Sequence, residues 1–184
     1  GIMIIMILYN LFVYFTIRDI SYLYYVVYIF AVALTQTTFQ GYTFKYLWPS
    51  NPDFEIQSIL LMSVFVGVTS VAFLRVFTHT KKYLPKWDRL FYGAYIIYGI
   101  ITIMIFFKMY QISWILILSL VSPLSIFMLV TAYKIAFTGY RPAKFFAISW
   151  TIFLVGVFVY AMKDFGILPY NNFTVYTMPI GSAI

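Results

Sequence analysis

Long apolar stretches separated by short charged breaks run the length of this chain. Residues 1–17, 20–44, 56–74, 90–107, 109–133, 145–162 and 165–184 contain no Asp, Glu, Lys or Arg, and each run is 17 to 25 residues long. About 20 apolar residues in an α-helix cross roughly 30 Å of hydrocarbon. Every run except the last, which opens with loop-like residues, therefore matches one membrane crossing. The runs are too long for the strands of a transmembrane barrel and lack strict in-out alternation. Lipid cannot satisfy an open backbone, so the pattern predicts helices.

The predicted architecture is all-α: a polytopic transmembrane helix bundle with seven crossings, at about 1–17, 20–40, 57–77, 90–107, 112–133, 144–162 and 173–184. The first and last crossings are expected to be incomplete, because Gly1 lies in an already apolar segment and Ile184 ends one that has just become apolar. Gly41, the run Trp48 to Pro52, Gly139, Pro142, Gly166, Pro169, Asn171 and Asn172 punctuate the breaks. No break is long enough to serve as a linker between domains, so residues 1–184 read as a single transmembrane helical domain. No internal repeat of the kind found in many transporters is evident.

Composition removes the alternative of a soluble fold. Hydrophobic residues make up 64% of the 184, charged residues 9%, and the mean hydropathy is +0.93. A soluble domain carries about 25% charge, far more than this chain could place on a wet exterior. There is no cysteine, hence no disulfide framework and no thiolate metal site.

Charge sets the expected orientation. With the N-terminus outside, the inner connections hold Arg18, Arg75, Lys81, Lys82, Lys86, Arg89, Lys134, Arg141 and Lys144, while the outer ones hold only Lys45, Lys108 and Lys163. That asymmetry satisfies the positive-inside rule and places the C-terminus in the cytoplasm. Residues 75–89 then form a cytoplasmic loop whose cations face anionic lipid, with Tyr83 and Trp87 at headgroup depth.

Candidate chemistry is sparse. His79 is the only histidine, and the acids Asp19, Asp53, Glu55, Asp88 and Asp164 do not cluster with it at a ligand spacing. No catalytic, metal-binding or cofactor-binding residue is expected. No ionisable group is expected deep within a complete span, which disfavours ion-coupled transport and a retinal chromophore. The polar outer end of helix two has two readings. Thr35, Gln36, Thr38 and Gln40 either join helices by hydrogen bonds, worth about 0.6 kcal/mol on average, or line a small outer-facing pocket. Tyr92, Tyr95 and Tyr98 read as structural aromatics, and Pro123 as a kink in helix five.

Several stretches together resemble the membrane region of the bacterial seven-transmembrane receptors with diverse intracellular signalling modules. They are LYNLFVYFTIRDISYLYYVVYIF at 8–30, GYTFKYLWP at 41–49, GYRPAKFFAISWTIFLVGVFVYAMKDFGILPYNN at 139–172, and the terminal IGSAI. The resemblance implies a multi-pass protein of the bacterial cytoplasmic (inner) membrane, with an extracellular sensory domain before Gly1 and a cytoplasmic output module after Ile184. That output would be a histidine kinase, a nucleotide cyclase or a phosphatase, and the segment itself would be non-catalytic. Two contact regions are expected: Lys45, Trp48, Asp53 and Glu55 towards the sensory domain, and Arg18, Asp19, Arg141 and Lys144 towards the output. The expected partners are the lipid bilayer, these two domains and a second copy in a homodimer, with no nucleic acid. The alternative function is a transporter or channel component, favoured by the polar end of helix two and disfavoured by the missing midplane charge. A lipid-modifying enzyme ranks last, since only Asp88 shares a loop with His79.

Overall fold

The computed structural model describes residues 2–164, with side chains described at 3–51 and 54–158. Among the described residues the regular structure is helical throughout: α1 (Ile2–Ile17), α2 (Ile20–Phe39), α3 (Tyr42–Tyr46), α4 (Pro52–Phe77), α5 (Thr80–Tyr83), α6 (Pro85–Phe106), α7 (Tyr110–Phe137) and α8 (Arg141–Asp164). The predicted seventh span at 173–184 lies outside the described residues. Helices cover the other six predicted segments, five of them long and apolar enough to cross a membrane, but α4, α6 and α8 begin earlier. Their first turns carry charged residues, and two of them open on a helix-start signal. Asn51 accepts a hydrogen bond from the Phe54 amide at 3.2 Å, with Pro52 as the first helical residue, and Pro85 likewise opens α6. Similarly, α7 continues four residues past the expected end at 133, carrying Lys134 beside its terminal carbonyls.

Two short helices, α3 and α5, fold the connections that the sequence pattern left as loops. Tight joints flank them. Gly41 turns the chain from α2 into α3 at φ 74°, a left-handed conformation that glycine adopts without a Cβ clash. Arg18, His79 and Lys108 also take left-handed conformations directly after helices. Two of these are cations, placed where helix C-terminal carbonyls favour positive charge.

The chain divides into two compact units, Gly1–Met128 and Leu129–Ile184, with the boundary inside α7. In the first unit α4 packs against both α2 and α6, α1 packs on α2, and α3 and α5 attach to the ends of α4. Buried positions on α4 include Leu60, Val64, Gly67, Val71 and Leu74, with Ser58, Thr69, Ser70 and Phe73 widening the buried face; on α6 they are Asp88, Phe91, Ala94, Tyr98, Ile101 and Ile105. The α6 positions advance in steps of three and four and form one narrow stripe, whereas α4 is buried over a wider face, as a helix packed against both α2 and α6 must be. Ile117 of α7 joins Leu60, Val64, Tyr98, Ile101 and Ile105 in one buried cluster. Faces away from these contacts stay apolar: Ile96, Ile100 and Ile103 on α6 and Leu118 on α7 are exposed. Lipid is the solvent that such faces fit.

In the second unit the buried residues mix small and large side chains. Ala132 and Ala136 of α7 and Ala143 and Ala147 of α8 are buried, as are Ile135, Phe146 and Trp150, and small residues of this kind let helices in lipid approach closely. Tyr133 and Thr151 join their hydroxyls at 2.9 Å.

A close approach between α4 and α6 centres on Gly67. A Cβ added there would overlap the Cζ and hydroxyl oxygen of Tyr98, a residue only 1% exposed with little room to move. Gly67→Ala is therefore expected to destabilise the bundle by about 1–3 kcal/mol, read as unfolding in mixed micelles. Gly93→Ala on α6 meets open space and serves as the neutral comparison. Equal stability of the two variants would contradict this packing.

Candidate functional site

The most elaborate polar arrangement lies where the C-terminal end of α4 meets the start of α6. Arg75 Nε donates to Asp88 Oδ1 at 2.8 Å and Arg75 Nη2 donates to Asp88 Oδ2 at 2.8 Å, a two-pronged pairing. The side chains are 16% and 6% exposed. The guanidinium also lies 4.4 Å from the Tyr92 ring centroid and 5.6 Å from that of Tyr95, where the ring faces attract a cation. Asp88, Tyr92 and Tyr95 follow one another at four and three residues, which puts all three on one side of α6.

Local sequence explains how residue 88 returns to residue 75. Thr78 closes α4 through its amide to the Leu74 carbonyl at 2.9 Å. Its hydroxyl lies 2.9 Å from that of Thr80, and both residues are fully buried. Between them His79 takes φ 51° with Nδ1 2.7 Å from the Val76 carbonyl. The single turn of α5 follows, and Pro85 then starts α6 at once. Trp87 stacks on Phe127 with ring centroids 5.0 Å apart, which fastens the start of α6 to α7. The pair is thus held by a folded corner rather than by a loose loop.

The N-terminal end of α4 carries a second, smaller arrangement. Trp48 Nε1 donates to Glu55 Oε2 at 2.8 Å, and the Trp48 ring meets Phe54 edge-on at 4.9 Å. Lys45 is exposed, with Nζ 5.3 Å from the centroid of Tyr46. Asp53 belongs to the first turn of α4, and its side chain lies outside the described residues. The structure therefore joins Trp48 and Glu55 directly, while Lys45 lies over a ring of its own short helix. The Thr43 hydroxyl in α3 is buried with no hydrogen-bond partner.

Thr35 Oγ1 lies 2.8 Å from the Ala31 carbonyl of its own helix and 3.1 Å from the Met62 carbonyl of α4. Thr38 donates to the Leu34 carbonyl at 2.8 Å, Gln36 is half-buried, and Gln40 is exposed at the end of α2. Thr35 thus ties α2 to α4, which is the helix-joining role. Arg18 and Asp19 form the exposed joint between α1 and α2, where Asp19 Oδ1 accepts from the Ser21 amide at 2.8 Å. Arg141 and Lys144 are exposed on the first turn of α8, in the second unit.

Sequence reasoning missed the Arg75–Asp88 pair, although a signal was present. Asp88 is the sole acid between Glu55 and Asp164, and Tyr92 and Tyr95 follow it at helical spacing. Among the described residues no group of three or more His, Cys, Asp or Glu could hold a metal ion.

Five described helices are long and apolar enough to cross a membrane: Ile20–Phe39, Phe54–Phe77, Pro85–Phe106, Tyr110–Phe137 and Arg141–Phe158. The class is an α-helical, multi-pass integral membrane protein. The family model for 7TM diverse intracellular signalling matches residues 1–184, and the chain belongs to that family. Comparison with curated proteins and with solved structures gives no match.

Removing one partner of a desolvated ion pair strands the other charge, whereas replacing both with apolar residues does not. Asp88→Ala is expected to cost about 3 kcal/mol of stability, and the double change Arg75→Met with Asp88→Leu should recover most of it. Unfolding of the natural chain, the two single variants Arg75→Met and Asp88→Leu, and the double variant in mixed micelles gives the coupling energy. Additivity within about 0.5 kcal/mol would mean that the pair is not energetically joined.

Proposed function

We propose that this chain carries a signal across the bacterial cytoplasmic membrane, from an extracellular sensory domain before Gly1 to a cytoplasmic output module after Ile184. Its membership of a transmembrane signalling family supports the reading at the level of class. The observation that carries it further is the build of α4. One end is tied to the preceding connection by Trp48 and Glu55, and the other is clamped to α6 by Arg75 and Asp88. Glu55 and Arg75 are 20 residues apart in sequence, about 30 Å along a helix axis. A change imposed at one end of so long a helix is felt at the other as a shift or rotation of the whole element.

In this reading the bundle has two arrangements, and a sensory domain that contacts one better shifts the population towards it. Seven crossings, with the N-terminus outside, put Lys45, Trp48, Asp53 and Glu55 towards the sensory domain. Arg18, Asp19, Arg141 and Lys144 then face the output. The membrane segment does no chemistry itself, and a homodimer would let two output modules meet. The bonded hydroxyls of Thr35 and Thr38 support a packing role over a transport path.

The natural chain has no cysteine, so single introduced cysteines report orientation cleanly. Ser50→Cys should react with an impermeant maleimide on intact cells, and Lys82→Cys only after permeabilisation. The reverse pattern would overturn the orientation. In the full-length receptor, Trp48→Ala and Arg141→Ala should each change output without altering insertion. Normal signalling from both would overturn the assigned contacts.

A further inference from the structure

We propose that the corner formed by residues 78–89 is a binding face for anionic phospholipid headgroups. It carries Lys81, Lys82, Lys86 and Arg89, all exposed. The one acid in the same stretch, Asp88, is 4% exposed and has both oxygens engaged by Arg75. Its charge is therefore cancelled from within the bundle and offers no counter-charge to the face. Four cations remain with no acid of the corner to balance them.

These cations sit on a structured shelf. The buried Thr78 and Thr80 hydroxyls are joined at 2.9 Å, the Leu84 amide donates to the Thr80 carbonyl at 2.8 Å, and Trp87 is stacked on Phe127. The backbone that carries the four side chains is already ordered, so binding loses less conformational freedom than it would on a loose loop. Lys86 and Arg89 lie three residues apart on α6, whereas Asp88 and Tyr92 mark its Arg75-facing side. The helix thus divides its polar end into an inward acidic side and an outward cationic side.

Position identifies the occupant. The shelf joins the end of one membrane-crossing helix to the start of the next, with half-buried Tyr83 and Trp87 beside the cations. Such aromatic residues mark headgroup depth. At that depth lysine and arginine bind the lipid phosphodiester through charge-assisted hydrogen bonds, and only a headgroup with no ammonium of its own leaves that negative charge uncompensated for four clustered cations. A topological anchor needs net charge alone. The proposal adds selectivity for anionic over zwitterionic lipid at this face, in whichever leaflet it lies.

The test uses the full chain in phosphatidylcholine vesicles, comparing the association of spin-labelled phosphatidylglycerol with that of spin-labelled phosphatidylcholine. Each cation near a headgroup is worth about a fivefold preference at most. The natural chain should favour phosphatidylglycerol several-fold overall, and molar salt should remove the preference. Changing Lys81, Lys82, Lys86 and Arg89 together to Gln should abolish it, while Lys45→Gln with Lys108→Gln should retain it. Should the fourfold variant fail to fold, Lys81→Gln with Lys82→Gln, confined to the single turn of α5, should still reduce the preference. A natural chain without preference, or a preference unaffected by both shelf variants, overturns the proposal. So does a shelf that ignores phosphatidylglycerol yet controls output in the full-length receptor, since that marks a docking face for an acidic protein segment.

Discussion

A guanidinium and a carboxylate placed together at the edge of an apolar bundle constrain everything around them. Neither charge is stable in such surroundings alone, because desolvation exceeds what scattered contacts return. Arg75 and Asp88 meet the requirement through two parallel hydrogen bonds and through the faces of Tyr92 and Tyr95. Once paired, they dictate the corner. The chain must leave α4, turn within a few residues and re-enter as α6 with Asp88 facing back. The buried Thr78–Thr80 contact, left-handed His79 and the proline at the start of α6 are the means.

The same pair sets the register of α4 against α6. In lipid, apolar burial does not by itself bring helices together, so their alignment depends on close fit and on a few polar ties. Gly67 lets the Tyr98 ring approach α4, and Arg75 fixes the sliding of one helix past the other about two turns further along. On the opposite flank, Thr35 links α2 to the Met62 carbonyl, and Tyr28 stacks on Phe73 with centroids 5.6 Å apart. The helix at the centre of these ties is α4. In the proposed function, a segment that passes a change between two aqueous faces needs one well-held element of this kind, and membership of a signalling family is consistent with that use.

Much of this is legible in the residues alone, because hydropathy is a bulk property of long segments. Crossing helices at 20–40, 57–77, 90–107, 112–133 and 144–162 follow from charge-free runs, and the family follows from the order of the quoted stretches. What escapes depends on single contacts. Arg75 and Asp88 look like ordinary loop charges until α5 folds them together, and α3 and α5 are too short for any periodicity to declare them. Trp48 and Glu55 read as separate contact residues, but their hydrogen bond to each other depends on the turn of α3. The polar end of α2 is ambiguous for a related reason: only the position of α4 shows that the Thr35 hydroxyl already has a backbone partner across the interface.

The central claim is that α4 links its two ends, so the measurement that tests it most directly is energetic coupling between them in the working receptor. Trp48→Phe and Asp88→Asn, singly and together, would be scored on the output of the full-length protein. Residues so far apart, with no shared partner, normally act additively. The account predicts a clear departure from additivity, because both substitutions bias the same two-state element. Additive effects across the pair would contradict it and would leave the two ends of α4 as independent structural joints.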